Sequence, residues 1–255
     1  MSDEVLHQLV TMSNNLGRPE LDYVILGEGN TSARADDSSF YVKSSGTELR
    51  TITASGFVRV GFAPALSLLE SQGFSDAEVK AGLQAAKVEP APGHPSVETM
   101  LHALCLSLPG VNFIGHTHPT PVNSLTCSVS FEQAFAGRLF PDEIVVCGVA
   151  PLLVPYVDPG VPLARKVGEL LDQYRDMFGE PPKVILMQNH GFIALGRTPR
   201  QVEDVTAMFV KTCRVLLGAY AAGGPRFLTD RDVARIHTRP DEIYRRQALG
   251  LEKSS

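Results

Sequence analysis

Three histidines and one glutamate carry the strongest chemical signal in the chain. His116 and His118 stand two apart in the run HTHP, at the end of an apolar stretch that reads as a strand. Side chains at i and i+2 of a strand share a face, so the two imidazoles are presented together. His190 follows in QNHGF, at a break between two short apolar pieces, where Gly191 would let the backbone turn sharply. Three neutral imidazoles that leave one position open suit a catalytic Zn2+ better than a structural one, which four ligands normally close. Imidazole also suits Mn2+, Co2+ and Fe2+, so the residue types do not choose among these metals. Glu98 precedes His116 by 18 residues, on the helix that leads into the His116 strand. It could serve as a fourth ligand or as a general base. Taken singly, a pair of histidines on an exposed strand, a structural histidine and a solvated glutamate are all ordinary; the set is what points to a metal.

The surrounding elements are those of one α/β domain over residues 1–255. Residues 3–16 read as a helix with Val5, Leu6, Leu9 and Val10 on one stripe. Strand-like pieces at 23–26 and 40–43 flank the loop GEGNTSAR (27–34), whose backbone N–H groups could face an anion. It is not a dinucleotide fingerprint, because Ser32 stands where the third glycine would be. Lys43-Ser44-Ser45-Gly46-Thr47 makes a similar polar turn. Residues 64–88 look helical, EPAPGHPS (89–96) breaks the pattern, and Pro95 sits near the start of a second helix. Its expected buried stripe is Val97, Leu101, Leu104 and Leu108. Glu98 and His102 lie on another face, one turn apart. Strands are expected at 111–118, 143–155, 183–187 and 192–195, and helices at 161–178 and 199–222. The tail from 225 to 255 reads as a surface helix or subunit contact. This order predicts a mixed sheet covered by helices, with no linker that would split it.

Composition excludes several classes. Of 255 residues, 44% are hydrophobic and 20% charged, so disorder, collagen and a disulfide miniprotein do not fit. Lys and Arg number 23 against 28 Asp and Glu, a net charge of −5 with no block of like charge. Nucleic acid and anionic membranes are therefore not expected partners. The four cysteines show no CxxC spacing and read as free thiols of a reducing compartment. No basic, then apolar leader is visible and no apolar run approaches the ~20 residues of a spanning helix, which gives a cytoplasmic expectation.

In order along the chain, GEGNTSAR, VKSSGTEL, HPSVETMLH, HTHP and NHGFIALG resemble the class II aldolase/adducin family, typified by L-fuculose-1-phosphate aldolase. The resemblance covers about residues 20–220 and is also close to the aldolase half of bifunctional aldolase/short-chain dehydrogenases. It implies a three-layer α/β/α fold with a mixed, mainly antiparallel sheet of nine strands, and a homotetramer with sites between subunits. It implies a divalent metal, usually Zn2+, on His116, His118 and His190, with Glu98 as acid/base. Asn30, Ser45 and Gly46 match the pocket that commonly holds a substrate phosphate, and Ser96 matches the first of a serine pair before the glutamate. The second of that pair is Val97 here, which weakens the case for a phosphorylated substrate. No tyrosine stands at 140–144, where the family's proton donor would fall, and Tyr156, Tyr174, Tyr220 and Tyr244 offer no assignment. The resemblance implies an aldolase acting on a small hydroxy-carbonyl or sugar-phosphate substrate through a metal-stabilised enediolate. Sugar-acid decarboxylation and 4-epimerisation use the same centre, and a non-catalytic adducin-like interaction module is the alternative of another class.

Overall fold

The computed structural model of the protein describes residues 2–70, 73, 75–248 and 250. Parts of the expected 64–88 helix and of the 225–255 tail therefore lie outside the described residues. The elements in chain order are α1 (Ser2–Leu16), β1 (Asn30–Arg34), β2 (Ser39–Lys43), β3 (Phe57–Gly61), α2 (Phe62–Glu70), α3 (Asp76–Ala85), α4 (Thr99–Leu106) and β4 (Phe113–Thr117). There follow α5 (Thr120–Thr126), α6 (Phe131–Ala134), α7 (Pro141–Cys147), β5 (Leu152–Val154), α8 (Val161–Phe178), β6 (Val184–Met187), β7 (Gly191–Gly196), α9 (Pro199–Ala221), α10 (Asp230–Thr238) and α11 (Pro240–Ala248).

The strands form one sheet in the order β3-β2-β1-β4-β7-β6-β5. Every neighbouring pair is antiparallel except β5 with β6. Helices cover both faces, and the period-2 alternation of each strand feeds two cores. On one side Ala33, Phe113, Leu186 and Phe192 meet α1, α5, α7 and α9. On the other, Val42, Ile114, Ile185 and Ile193 meet α2, α4 and α8. This is the expected helix-flanked, mainly antiparallel sheet. It holds seven strands among the described residues, not nine. Among those residues no helix is long and apolar enough to cross a membrane.

Several local expectations change for identifiable reasons. Residues 23–26 make no strand; Leu26 takes a left-handed φ of 52°, which a ladder does not admit. The apolar run from 143 opens as the helix α7. Pro141 begins it, Asp142 and Glu143 occupy its first turn, and Glu143 pairs at 2.8 Å with the buried Arg138. The 64–88 helix is interrupted: Gly73 has a φ of 85°, and Ser75 with Glu78 builds a reciprocal cap that starts α3 afresh. Pro95 does not open α4. It pairs in an isolated bridge with Ser44, and the helix begins after Glu98. Val97 consequently stays 56% exposed, outside the stripe that Leu101 and Leu108 do form, and Leu104 is half-buried. Cys105, Cys147 and Cys213 are buried free thiols, while Cys127 is a free thiol at the surface. Burial pushes Cys105 and Cys147 up to about 12.

Candidate metal centre

Strand pairing assembles the site. In β4, His116 sits opposite Asn30 of β1 on one side and Ile193 of β7 on the other. His118 follows just beyond the strand, where its N–H donates to the Tyr23 carbonyl at 2.8 Å. His190 comes from the turn between β6 and β7, immediately before β7 pairs with β4. The three ring centroids lie 4.8, 4.9 and 5.2 Å apart, and one nitrogen from each ring falls within 4.8 Å of the others.

The positive φ at this turn belongs to Asn189, at 55°, and not to Gly191. Gly191 is needed for a different reason than the sharp turn expected of it. A Cβ there would stand 2.5 Å from His118 Cδ2 and 2.8 Å from the Thr117 carbonyl oxygen. Gly191→Ala is therefore expected to displace the His118 ring and to weaken divalent-cation binding about 10–100-fold, as losing a ligand's support does. Chelator competition measures this, and an unchanged affinity would show that the ring has room to move.

Burial holds two of the imidazoles in the form that can donate a lone pair, and a carboxylate orients the third. Burial, then the neighbouring histidines, push His116 well below its ordinary value, so it is neutral. His118 Nδ1 lies 3.3 Å from Glu28 Oε2, and Glu28 is itself fixed by the Ile25 N–H at 2.7 Å. A carboxylate behind an imidazole keeps the proton on that side and turns the other nitrogen's lone pair outward. His118 Nε2 then faces His116 Nε2 at 2.6 Å. Burial also lowers His190, against the pull of Glu98, whose Oε1 lies 3.3 Å from His190 Nε2. That Glu98 oxygen is buried without a hydrogen bond. Converging imidazole nitrogens beside a carboxylate oxygen without a hydrogen bond are a donor set that fits a divalent cation.

Glu98 is 7% exposed at the N-cap of α4. Its Oε2 accepts from Asn30 Nδ2 at 2.6 Å, and its backbone N–H donates to Ser96 Oγ at 3.3 Å. Asn30 also lies 3.4 Å from Ser96 Oγ, and its Oδ1 is hydrogen-bonded to His102 Nε2. Behind His102, Ser32 Oγ meets Nδ1 at 2.6 Å. Both ends of the Asn30 amide are thus engaged around Glu98. Ser45 and Gly46 are exposed; the Ser45 N–H donates to the His94 carbonyl at 2.9 Å, and Gly46 has a φ of 81° with open space around it. Ser45 and Val97 line a cavity of about 610 Å3 with Lys80, Leu83, His94 and Arg165. Of the tyrosines, Tyr174 is buried with its hydroxyl on the Ala150 carbonyl, and Tyr156, Tyr220 and Tyr244 are exposed.

Sequence reasoning assigned no role to Glu28, Ser32, Lys43 or His102. Ser32 was findable, because it shares a strand face with Asn30. So was His102, one helical turn from Glu98. Lys43 is buried, donates to the Gly27 carbonyl at 2.9 Å, and is lowered by burial against the attraction of Glu98. Nothing in composition separates such a lysine from a solvated one.

Comparison with known proteins gives the family and the fold. The family model described as Class II Aldolase and Adducin N-terminal domain matches residues 7–217. A 3-oxo-tetronate 4-phosphate decarboxylase of Haemophilus influenzae is 26% identical over 227 residues, 88% of this chain and 93% of that protein. The N-terminal class II aldolase domain of a conserved Thermoplasma acidophilum protein superposes with a TM-score of 0.63 at 27% identity, covering 82% of this chain and 92% of that one. An L-fuculose 1-phosphate aldolase shares the fold at 18% identity with a TM-score of 0.69, over 93% of this chain and 96% of its own.

Proposed function

The chain belongs to the class II aldolase and adducin family, and on that premise we propose that it is a metal-dependent aldolase. It breaks or forms a carbon–carbon bond next to a carbonyl in a small hydroxy-carbonyl substrate of sugar or sugar-phosphate type. The observation that carries this reading is the convergence of His116, His118 and His190, with His190 Nε2 3.3 Å from Glu98 Oε1, a buried oxygen without a hydrogen bond. Those histidines would hold Zn2+, with Mn2+, Co2+ or Fe2+ as alternatives. A divalent cation held there supplies Lewis-acid polarisation of a substrate oxygen.

The chain's own residues do the rest. Retro-aldol cleavage leaves an electron pair on the carbon beside the carbonyl, and Glu98 Oε1 takes up the proton of the hydroxyl that becomes the aldehyde carbonyl and delivers it to that carbon. In the synthetic direction the same oxygen removes it. Asn30 holds Oε2 and so aims Oε1 into the centre. The cavity that Val97, next in sequence to Glu98, lines with Lys80, Arg165 and Asp76 would take an acidic or phosphorylated end of the substrate on its two cations. Its Val97 wall favours an apolar neighbour over a second hydroxyl contact. A homo-oligomer, the family's tetramer, belongs to the same reading.

Decarboxylation of a 3-oxo sugar acid is the second reading, favoured by the similarity to the Haemophilus influenzae decarboxylase. There the bond to the carboxylate breaks, carbon dioxide leaves, and Glu98 again protonates the carbon that keeps the electrons. Product analysis separates the readings on phosphorylated and free ketoses and 3-oxo sugar acids. An aldehyde with its ketone partner supports the aldolase, carbon dioxide the decarboxylase, and an epimer without free aldehyde the epimerase. Turnover unaffected by EDTA would sink all of them.

A further inference from the structure

We infer that His102, backed by Ser32, is a positioning residue that fixes the Asn30 amide with its nitrogen on Glu98 Oε2 and so leaves Oε1 as the free oxygen. This rests on the acid/base role proposed for Glu98. The side chains run in line from Ser32 Oγ through His102 and Asn30 to Glu98 Oε2. Ser32, His102, Asn30 and Glu98 are all buried, so no water is at hand to repair a mismatched contact.

A neutral imidazole has one donor and one acceptor, and a primary amide has one face of each kind. Only two orders of protons satisfy the line. In the first, Ser32 donates to His102 Nδ1, His102 Nε2–H donates to Asn30 Oδ1, and Asn30 Nδ2 donates to Glu98 Oε2. In the second, every bond reverses, the amide is turned over, and Glu98 must carry a proton on Oε2. An imidazolium fits neither, and complete burial pushes His102 down to about 3. The first order is the one the contacts favour, because Asn30 Nδ2 reaches two acceptors at once, Glu98 Oε2 at 2.6 Å and Ser96 Oγ at 3.4 Å. Glu98 Oε2 is then held by Asn30, and Oε1 is the oxygen left without a hydrogen bond beside His190. His102 touches no substrate in this scheme. It acts through Asn30 by denying the amide its other orientation.

Neutron diffraction from the perdeuterated, metal-loaded protein reads the order directly. The expected result is a deuteron on His102 Nε2, none on Nδ1, and the Asn30 amide nitrogen towards Glu98. A deuteron on His102 Nδ1 or on Glu98 Oε2 would overturn the inference. Kinetics give the second arm. His102→Gln keeps an N–H near the Nε2 position, whereas His102→Phe fills the space without one. The Phe variant is expected to lose about 30-fold in kcat, with KM within about twofold and metal content unchanged, and the Gln variant to recover to within about threefold of the parent. Equal impairment of both, or an unimpaired Phe variant, would reduce His102 to packing. A substrate screen without turnover would overturn the proposed function and leave the diffraction result to decide the proton order alone.

Discussion

His116→Ala is expected to abolish stoichiometric binding of a divalent cation and to lower turnover at least about 10^3-fold, roughly 4 kcal/mol of transition-state stabilisation. His116 is the most deeply set of the three histidines, 1% exposed between β1 and β7, and its ring centroid lies 4.8 and 4.9 Å from those of the other two. Its removal leaves His118 and His190 with ring centroids 5.2 Å apart and no third nitrogen. Two imidazoles are a poor competitor for a cation that three hold in the parent. The measurement is elemental analysis on protein purified without an immobilised-metal column, beside thermal unfolding to show that the variant is folded. About one Zn2+ or Mn2+ per chain in the parent, absent from the variant, is the expected pair of results. Parent-like metal content in the variant would place the metal elsewhere, and a parent that takes up none would favour a non-catalytic interaction module.

The histidines were legible because their chemistry depends on identity and on the simplest periodicity. The alternation of a strand puts His116 and His118 on one side whatever else the fold does. His190 was legible as a residue type at a break, but its approach to the pair is a product of register: β7 lies against β4 with Thr117 opposite Phe192. The role of Gly191 was misread for the same reason. A glycine next to a turn suggests a special φ, yet what requires it is the His118 ring, which only the antiparallel pairing brings near.

The boundaries that sequence patterning missed are those decided by tertiary contact. The run Ile144-Val145-Val146-Cys147 has strand-like composition, and its burial on all sides hides any period. Pro141 and the two acids after it were available as helix-start signals; the ion pair of Glu143 with Arg138 was not. In the same way Pro95 could begin a helix in principle, but the bridge to Ser44 draws it aside and leaves the N-cap to Glu98. That shift exposes Val97 and sets the Glu98 side chain at the head of the helix, where a carboxylate is favoured by the unpaired N–H groups. The Asn30–His102–Ser32 line was half visible, since each adjacent spacing was regular. Nothing along the chain says that a strand face and a helix face will meet at one carboxylate.

The second large effect is expected from Glu98→Gln: a fall in kcat of about 10^2–10^4-fold, or roughly 3–5 kcal/mol, with folding and metal content preserved. The substitution is nearly isosteric, and the site has an acceptor and a donor role for it to fill. The glutamine carbonyl can accept from Asn30 Nδ2 in place of Oε2, so the buried amide keeps its partner. The glutamine NH2 then occupies the position of Oε1, facing His190 Nε2, and supplies no exchangeable acid or base. Glu98→Ala would be a poorer test, because it strands the Asn30 donor in a buried site and mixes loss of chemistry with loss of order. The discriminating readout is exchange of the hydrogen beside the carbonyl of the ketone fragment with deuterated water, followed without the aldehyde present. Proton transfer by Glu98 requires exchange and turnover to fall together in the Gln variant. Exchange that persists at the parent rate would assign the proton to another group. Slow turnover with fast exchange would move the step limited by residue 98 to bond cleavage.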